Sequence, residues 1–264
     1  MITHNPVADL SAFIPPIAMQ LYVIAMAILV VGGTILDTLH KRSAKYFFAA
    51  AKDSKAMAKR QVGGGEKISI AVKTAVVDVM ASGEFCNARR RVAHLLTMYG
   101  FIIFLVTTVI LVFGYPTPVT IAPDYLPLLW HLGALLVCIG GYWFWFFIRV
   151  DVAAEGYPWY RLVRADLFIL SLVATTSFAL IWSFLQSADA GAWATLFFAL
   201  FVLSSTVLFG TVLWSKFAHM FFKPAAAFQR RVAEAEGSLD NLPPPADAPK
   251  QFGLGINREL PRHY

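Results

Sequence analysis

The run from Arg89 to Phe113, RRRVAHLLTMYGFIIFLVTTVILVF, constrains this chain more than any other stretch. Three arginines open it, His94 follows, and no Asp, Glu, Lys or Arg then appears until Asp124. A helix rising 1.5 Å per residue needs roughly 20 apolar residues to cross the hydrocarbon core. The run therefore reads as a transmembrane helix over 92–113, with the arginines marking its cytoplasmic end. Only 14% of the 264 residues are charged and 58% are apolar, against about 25% charged in soluble domains. The chain is expected to be an all-α integral membrane protein.

The same reasoning places four more spans, at 17–39, 126–148, 167–186 and 193–214. The last is expected to carry a helical extension through residue 222 and to stop at Pro224. All 22 Lys and Arg lie on one side of these spans, because residues 1–16, 114–125 and 187–192 contain none. The positive-inside rule then gives five helices with the N-terminus outside and the C-terminus in the cytoplasm of a bacterial inner membrane. The net charge of +6 is thus a topology signal directed at anionic lipid and not at nucleic acid. The N-terminus lacks the basic n-region of a cleaved signal peptide. Cys86 and Cys138 sit in no CxxC pattern, so no iron–sulfur cluster is expected in this chain.

Residues 40–91 form the longest polar segment, with twelve Lys/Arg against four Asp/Glu. Its first part, through Arg60, reads as a basic surface helix. The stretch from Glu66 to Met80 reads as an amphipathic interfacial element, with a strand as the alternative because of its β-branched content. Gly63, Gly64 and Gly65 read as a turn between them. A connection this long serves as a membrane-lying loop or as a docking platform. The docking residues would be Lys41, Arg42, Lys45, Lys52, Lys55 and Lys59. Residues 223–264, Pro-rich and polar beyond Gly237, are expected to be mostly disordered.

Of six histidines, His94 and His219 fall at similar depth near the cytoplasmic face of antiparallel spans, and His40 is a second candidate at that depth. Two axial imidazoles from two helices are what one b-type heme requires. Arg89, Arg90, Arg91 and Lys216 are close enough in sequence to neutralise its propionates, and Gly100 and Gly210 would admit a macrocycle. The plain alternative is that these histidines bond to backbone or lipid headgroups. His131, beside Trp130, reads as an interfacial anchor, and His4 and His263 as solvated. Asp37 and Asp166 are the carboxylates to watch at the span ends. The scarcity of charge within the spans argues against a transporter.

Five spans with histidines on the second and fifth resemble the cytochrome b subunit of respiratory nitrate reductase. In that family the equivalent of an outer histidine pair would fall at Phe104 and Phe201, so the resemblance implies no outer heme. The stretches RRRVAHLLTMYGFIIFLVTT, WHLGALLVCIGGYWFWFFIRVDVAAEGYPWYR and ADLFILSLVATTSFALIWSFLQ are more similar to the membrane anchors of dissimilatory adenylylsulfate (APS) reductase. That resemblance implies a non-catalytic or quinone-interacting subunit. Its partners would be soluble flavin and iron–sulfur subunits that oxidise sulfite and AMP to APS. Two functions follow: electron transfer to quinone through a heme on His94 and His219, or a heme-less docking scaffold with quinone reduced at the interface with the soluble enzyme.

Overall fold

The structure is a computed structural model. It describes residues 2–40, 43–83, 85, 87–150, 156–215, 217 and 219–239, without the side chains of Ser43 and Ala44. Among these residues there is no strand. A short helix α1 (Pro6–Leu10) is followed by α2 (Pro16–His40), α3 (Ser43–Ala56) and α4 (Gly64–Lys73), which continues as a π-helical segment over Thr74–Met80. Then come α5 (Ala88–Gly114), α6 (Tyr125–Trp143) with a π turn over Phe144–Ile148, α7 (Leu167–Ser187), α8 (Gly191–Gly210) and α9 (His219–Glu236).

Five of these are long and apolar enough to cross a membrane: α2, α5, α6 with its π turn, α7 with the preceding 3-10 turn, and α8. They close a ring in which α5 packs on α6, α6 on α7, α7 on α8, α8 on α2 and α2 on α5. Lipid tails are as apolar as leucine, so association of the helices depends on close packing rather than on expulsion of water. The closest seam is α5–α6. Ala93, Thr97, Gly100 and Phe104 follow the three-and-four spacing of one helix face, and they meet Gly133 and Gly140. A Cβ placed on Gly133 would lie 2.6 Å from the Phe104 nitrogen, and one on Gly140 2.6 Å from the Ala93 carbonyl oxygen. One on Gly100 would lie 2.8 Å from the Gly133 oxygen. Gly100 therefore brings two backbones together. The expectation that it admits a macrocycle is not met, because the space beside it is α6.

Polar links and rings add to the seams. Trp130 Nε1 donates to Thr108 Oγ1 at 2.9 Å, and Tyr142 and Ser177 hydroxyls pair at 2.8 Å. Tyr22 donates to the Val202 carbonyl at 3.1 Å. The interior is filled by aromatic rings: Trp182 stacks on Phe201, Phe104 meets Phe201 edge-on, and Phe101 approaches Phe209. At the end without Lys or Arg, α1 lays Val7 and Leu10 into the cluster of Leu111, Leu126, Trp130 and Trp182.

At the basic end the α6–α7 connection is held by Arg149, which is fully buried. Its guanidinium donates to Asp166, to the Arg161 carbonyl at 2.6 Å and to the Pro158 carbonyl at 3.1 Å, and it lies over the Trp145 ring at 4.2 Å. A buried charge is tolerated only when paired and fully hydrogen-bonded, and this one is.

Two expectations need correction. Residues 66–80 are helical, so the strand alternative falls. The fifth span does not run on to Pro224: α8 ends at Gly210, a turn follows, and α9 begins at His219 and passes through Pro224 to Glu236. Proline forfeits the backbone bond to the carbonyl four residues back and crowds that carbonyl, at a cost of about 3 kcal/mol, and packing of α9 on its neighbours offsets that loss. Residues 223–236 are therefore ordered helix, whereas residues 240–264 of the expected tail lie outside the described residues.

Replacing Gly133 by leucine should separate α5 from α6, at a cost of about 1–3 kcal/mol for overpacking. A Cβ on Gly32 would meet no atom within 4 Å, so Gly32→Ala should not destabilise and should gain up to about 1 kcal/mol of helix propensity. Thermal unfolding of the two variants in detergent, compared with the parent chain, checks the pair.

Candidate functional site

The basic end carries a second layer in which α9 packs on α3 and on α4 with its π segment. Gly63 caps α4 with extended backbone (φ −69, ψ 164). Glu66 in its first turn suits the positive end of the helix dipole and takes a two-pronged bond from Arg60 (2.9 and 2.5 Å). Arg60 also donates to the Ala235 carbonyl at 2.7 Å, and the Lys59 and Arg60 backbone N–H groups cap the Glu236 carbonyl. Gln229 donates to the Phe47 carbonyl, and Ser54 pairs with Ser238.

The strongest link in this layer is Arg231 on Asp78, with Nε to Oδ2 at 2.5 Å and Nη2 to Oδ1 at 2.7 Å. Hydrogen bonding from the Arg231 guanidinium holds the Asp78 carboxyl below its ordinary value of 3.8, against the opposing effect of burial. The same pairing raises Arg231. Sequence reasoning misses this pair, since the two residues are 153 apart. Nor does the Phe222, Gln229, Ala233 row of α9 point to it, because Arg231 lies about half a turn around the helix from that row.

The layer is tied to α5 by a tight turn. The π segment ends with Gly83 N–H on the Val77 carbonyl at 2.8 Å, a Schellman-type closure set one residue further back by the wider π turn. Ser82 takes the left-handed backbone position (φ 49), which disfavours non-glycine residues. Its buried hydroxyl meets His94 Nδ1 at 2.9 Å. Arg91 Nε donates to the Ala81 carbonyl at 2.7 Å, and the Tyr99 hydroxyl donates to the Met80 carbonyl at 2.8 Å.

The site residues expected from the sequence are distributed over several places. Arg89, Arg90 and Arg91 occupy the first turn of α5, where Asn87 accepts from the Arg89 and Arg90 N–H groups. Arginine there is opposed by the helix dipole, so the positions serve something other than helix stability. Arg89 is exposed, Arg90 lies 5.7 Å from the Phe85 ring centroid, and Arg91 is engaged with Ala81. Lys45, Lys52, Lys55 and Lys59 are all exposed. Lys41, Arg42 and Lys216 lie outside the described residues. His40 is exposed at the end of α2. His4 pairs with Asp9 at 2.8 Å rather than standing in solvent alone. His131 uses both ring nitrogens, on the Pro127 carbonyl at 2.7 Å and the Ser183 hydroxyl at 2.8 Å. That is the bonding of a structural histidine linking α6 to α7.

No protein-family model, curated protein or solved structure matches the chain. The site is therefore judged on its own geometry.

A hydrogen bond to Nδ1 is how metal-bound imidazoles are oriented, so His94 has a ligand's posture. A heme also needs a slot for the macrocycle. The His94 ring lies 4.8 Å from the Phe85 ring, and Lys223 Nζ of α9 covers the same phenylalanine at 5.5 Å. His219 packs edge-on against Phe168. From Phe101 on α5 the rings of Phe209 on α8, Phe217 in the turn after it and Phe168 on α7 follow one another at centroid distances of 5.5–6.4 Å. Cavities among the described residues lie between α6 and α7 and at the opposite end beside His4. Among the described residues, those around His94 and His219 do not fit a porphyrin in this packing.

Asp78→Asn, Arg231→Met and the double variant should give a coupling energy of about 1.5–3 kcal/mol for attachment of α9, as for hydrogen bonds between charged groups. Because the Asp78 carboxyl is depressed on folding, the pair stabilises fully above pH 3.8 and is lost as pH falls through the lower folded value. Hydrogen exchange of α9 amides across an acid series, in parent and variant chains, checks both statements.

Proposed function

We propose that this chain is a membrane anchor that docks a soluble oxidoreductase on the cytoplasmic side of a bacterial inner membrane, and that it acts as a heme-less scaffold. The orientation rests on the one-sided distribution of Lys and Arg. The partner class, the flavin and iron–sulfur subunits of APS reductase, rests on the resemblance in the membrane spans. Electrons leaving the partner's clusters would pass to quinone where the docked enzyme meets the bilayer.

The observation that supports docking is the outer face of α3. Lys45, Phe48, Lys52 and Lys55 recur at three, four and three residues, the spacing of a single helix face. The opposite face carries Phe47 and Ser54, which bond to α9 and the turn after it. Phe48 is 68% exposed and sits among the three lysines. An aromatic anchor ringed by one sign of charge is suited to an acidic protein surface with an apolar pocket. The lysines would steer that partner in a salt-dependent way. The filled interior between α5 and α8 supports the scaffold reading over a heme-carrying one.

Purified soluble APS reductase should bind proteoliposomes containing the parent chain, with affinity falling as salt rises. The triple variant Lys45→Glu, Lys52→Glu, Lys55→Glu should weaken binding at least about tenfold, since like-charge juxtaposition costs several kcal/mol. Phe48→Ala should weaken it while leaving the salt dependence in place. Equal binding by the triple variant in a sedimentation assay contradicts docking on α3.

A further inference from the structure

We infer that the segment Gly64–Met80 is a lipid-facing foot, lying in the headgroup region with Ile68, Val72, Val76 and Met80 in the acyl chains. This inference is independent of the docking partner, since it concerns the face of α4 rather than that of α3.

Four large apolar side chains at a constant spacing of four are exposed: Ile68 by 68%, Val72 by 58%, Val76 by 51% and Met80 by 54%. In a regular α-helix a four-residue step drifts around the axis by about 40° each time, and the stripe would spiral away from one surface. The segment changes to π geometry at Thr74. Its i→i+5 bonding widens the turn and brings Val76 and Met80 back in line with Val72. The same change keeps Thr74 and Asp78 on the side of α9, where Thr74 is buried and Asp78 meets Arg231. Straightening thus holds one face on α9 and an opposite apolar face turned outward.

Two observations identify the occupant of that outward face as lipid. The first is depth. Ala81 is bonded to Arg91, where the charge-free run of α5 begins, and Met80 is bonded to Tyr99, about three turns into α5. The foot therefore ends against the part of α5 whose Val92, Tyr99 and Ile102 are exposed on the outside of the bundle, and its apolar stripe continues that surface. The second is charge. Lys67 and Lys73 are exposed on either side of the stripe, positioned to bury their stems along apolar surface and reach anionic phosphates.

Nitroxide labels at Ile68→Cys, Val72→Cys and Val76→Cys, in a full chain with Cys86→Ser and Cys138→Ala, test the assignment. The reconstituted vesicles are phosphatidylcholine with and without phosphatidylglycerol. A label at exposed Gln61, off the foot, is the aqueous reference. The expected result is that the three labels are relaxed preferentially by oxygen over a water-soluble nickel reagent, whereas the Gln61→Cys label shows the reverse. Lys67→Glu with Lys73→Glu should move the labels toward water, and more so with phosphatidylglycerol present. Nickel-accessible labels on all three stripe positions overturn the inference. So do labels shielded from both reagents with dipolar broadening between chains, which would make the stripe a contact between two copies.

Discussion

Backbone contact between α5 and α6 is the constraint on which the rest of the bundle depends. In a bilayer the helices gain nothing from leaving water, so the seam must gain from contact itself. Gly100, Gly133 and Gly140 supply that contact by having no side chain where the facing backbone passes. With the two helices fixed, Trp130 reaches Thr108, α7 and α8 close around the rings of Trp182 and Phe201, and α2 completes the circle. Arg149, buried on Asp166 and two loop carbonyls, fixes the basic end of the α6–α7 pair. A buried ion pair of this kind adds little net stability but is costly to break, and here it holds the Pro158 and Arg161 carbonyls beside Asp166.

The basic layer is carried by this frame through one short turn. Ala81, Ser82 and Met80 are each bonded to α5, through Arg91, His94 and Tyr99. From that attachment the π segment of α4 meets α9 through Asp78 and Arg231, and α9 in turn supports α3. The exposed lysine and phenylalanine face of α3 is thereby presented on a supported platform rather than on a loose loop. In this account the histidine of the α5 start serves the turn that anchors the platform, and the aromatic interior keeps the bundle closed.

The five spans are legible in the sequence because each depends on a local quantity, the length of an uncharged apolar run, and apart from the extension expected after the fifth their ends agree with the structure within a few residues. The π continuation of α4 and the course of α9 are not legible. Pro224 reads locally as a stop, and only packing against residues more than a hundred positions away keeps the helix running through it. The pairing of Asp78 with Arg231 has the same character, since nothing near either residue names the other. His94 and His219 show the limit most clearly. Depth along a helix can be counted from the sequence, but whether the space between two helices is open or filled with phenylalanine depends on the packing of Phe101, Phe168, Phe209 and Phe217. Gly100 is visible as a small residue, but which neighbour it admits is decided by α6.

The most direct measurement is a pyridine hemochrome assay with a reduced-minus-oxidised absorbance spectrum of the full chain, purified in detergent from cells supplied with a heme precursor. A scaffold with a closed interior predicts far less than one heme per chain and no b-type band, in material that is folded and monodisperse. One heme per chain, with the band abolished by His94→Ala, would contradict the scaffold account and require the interior between α5 and α8 to open around a macrocycle.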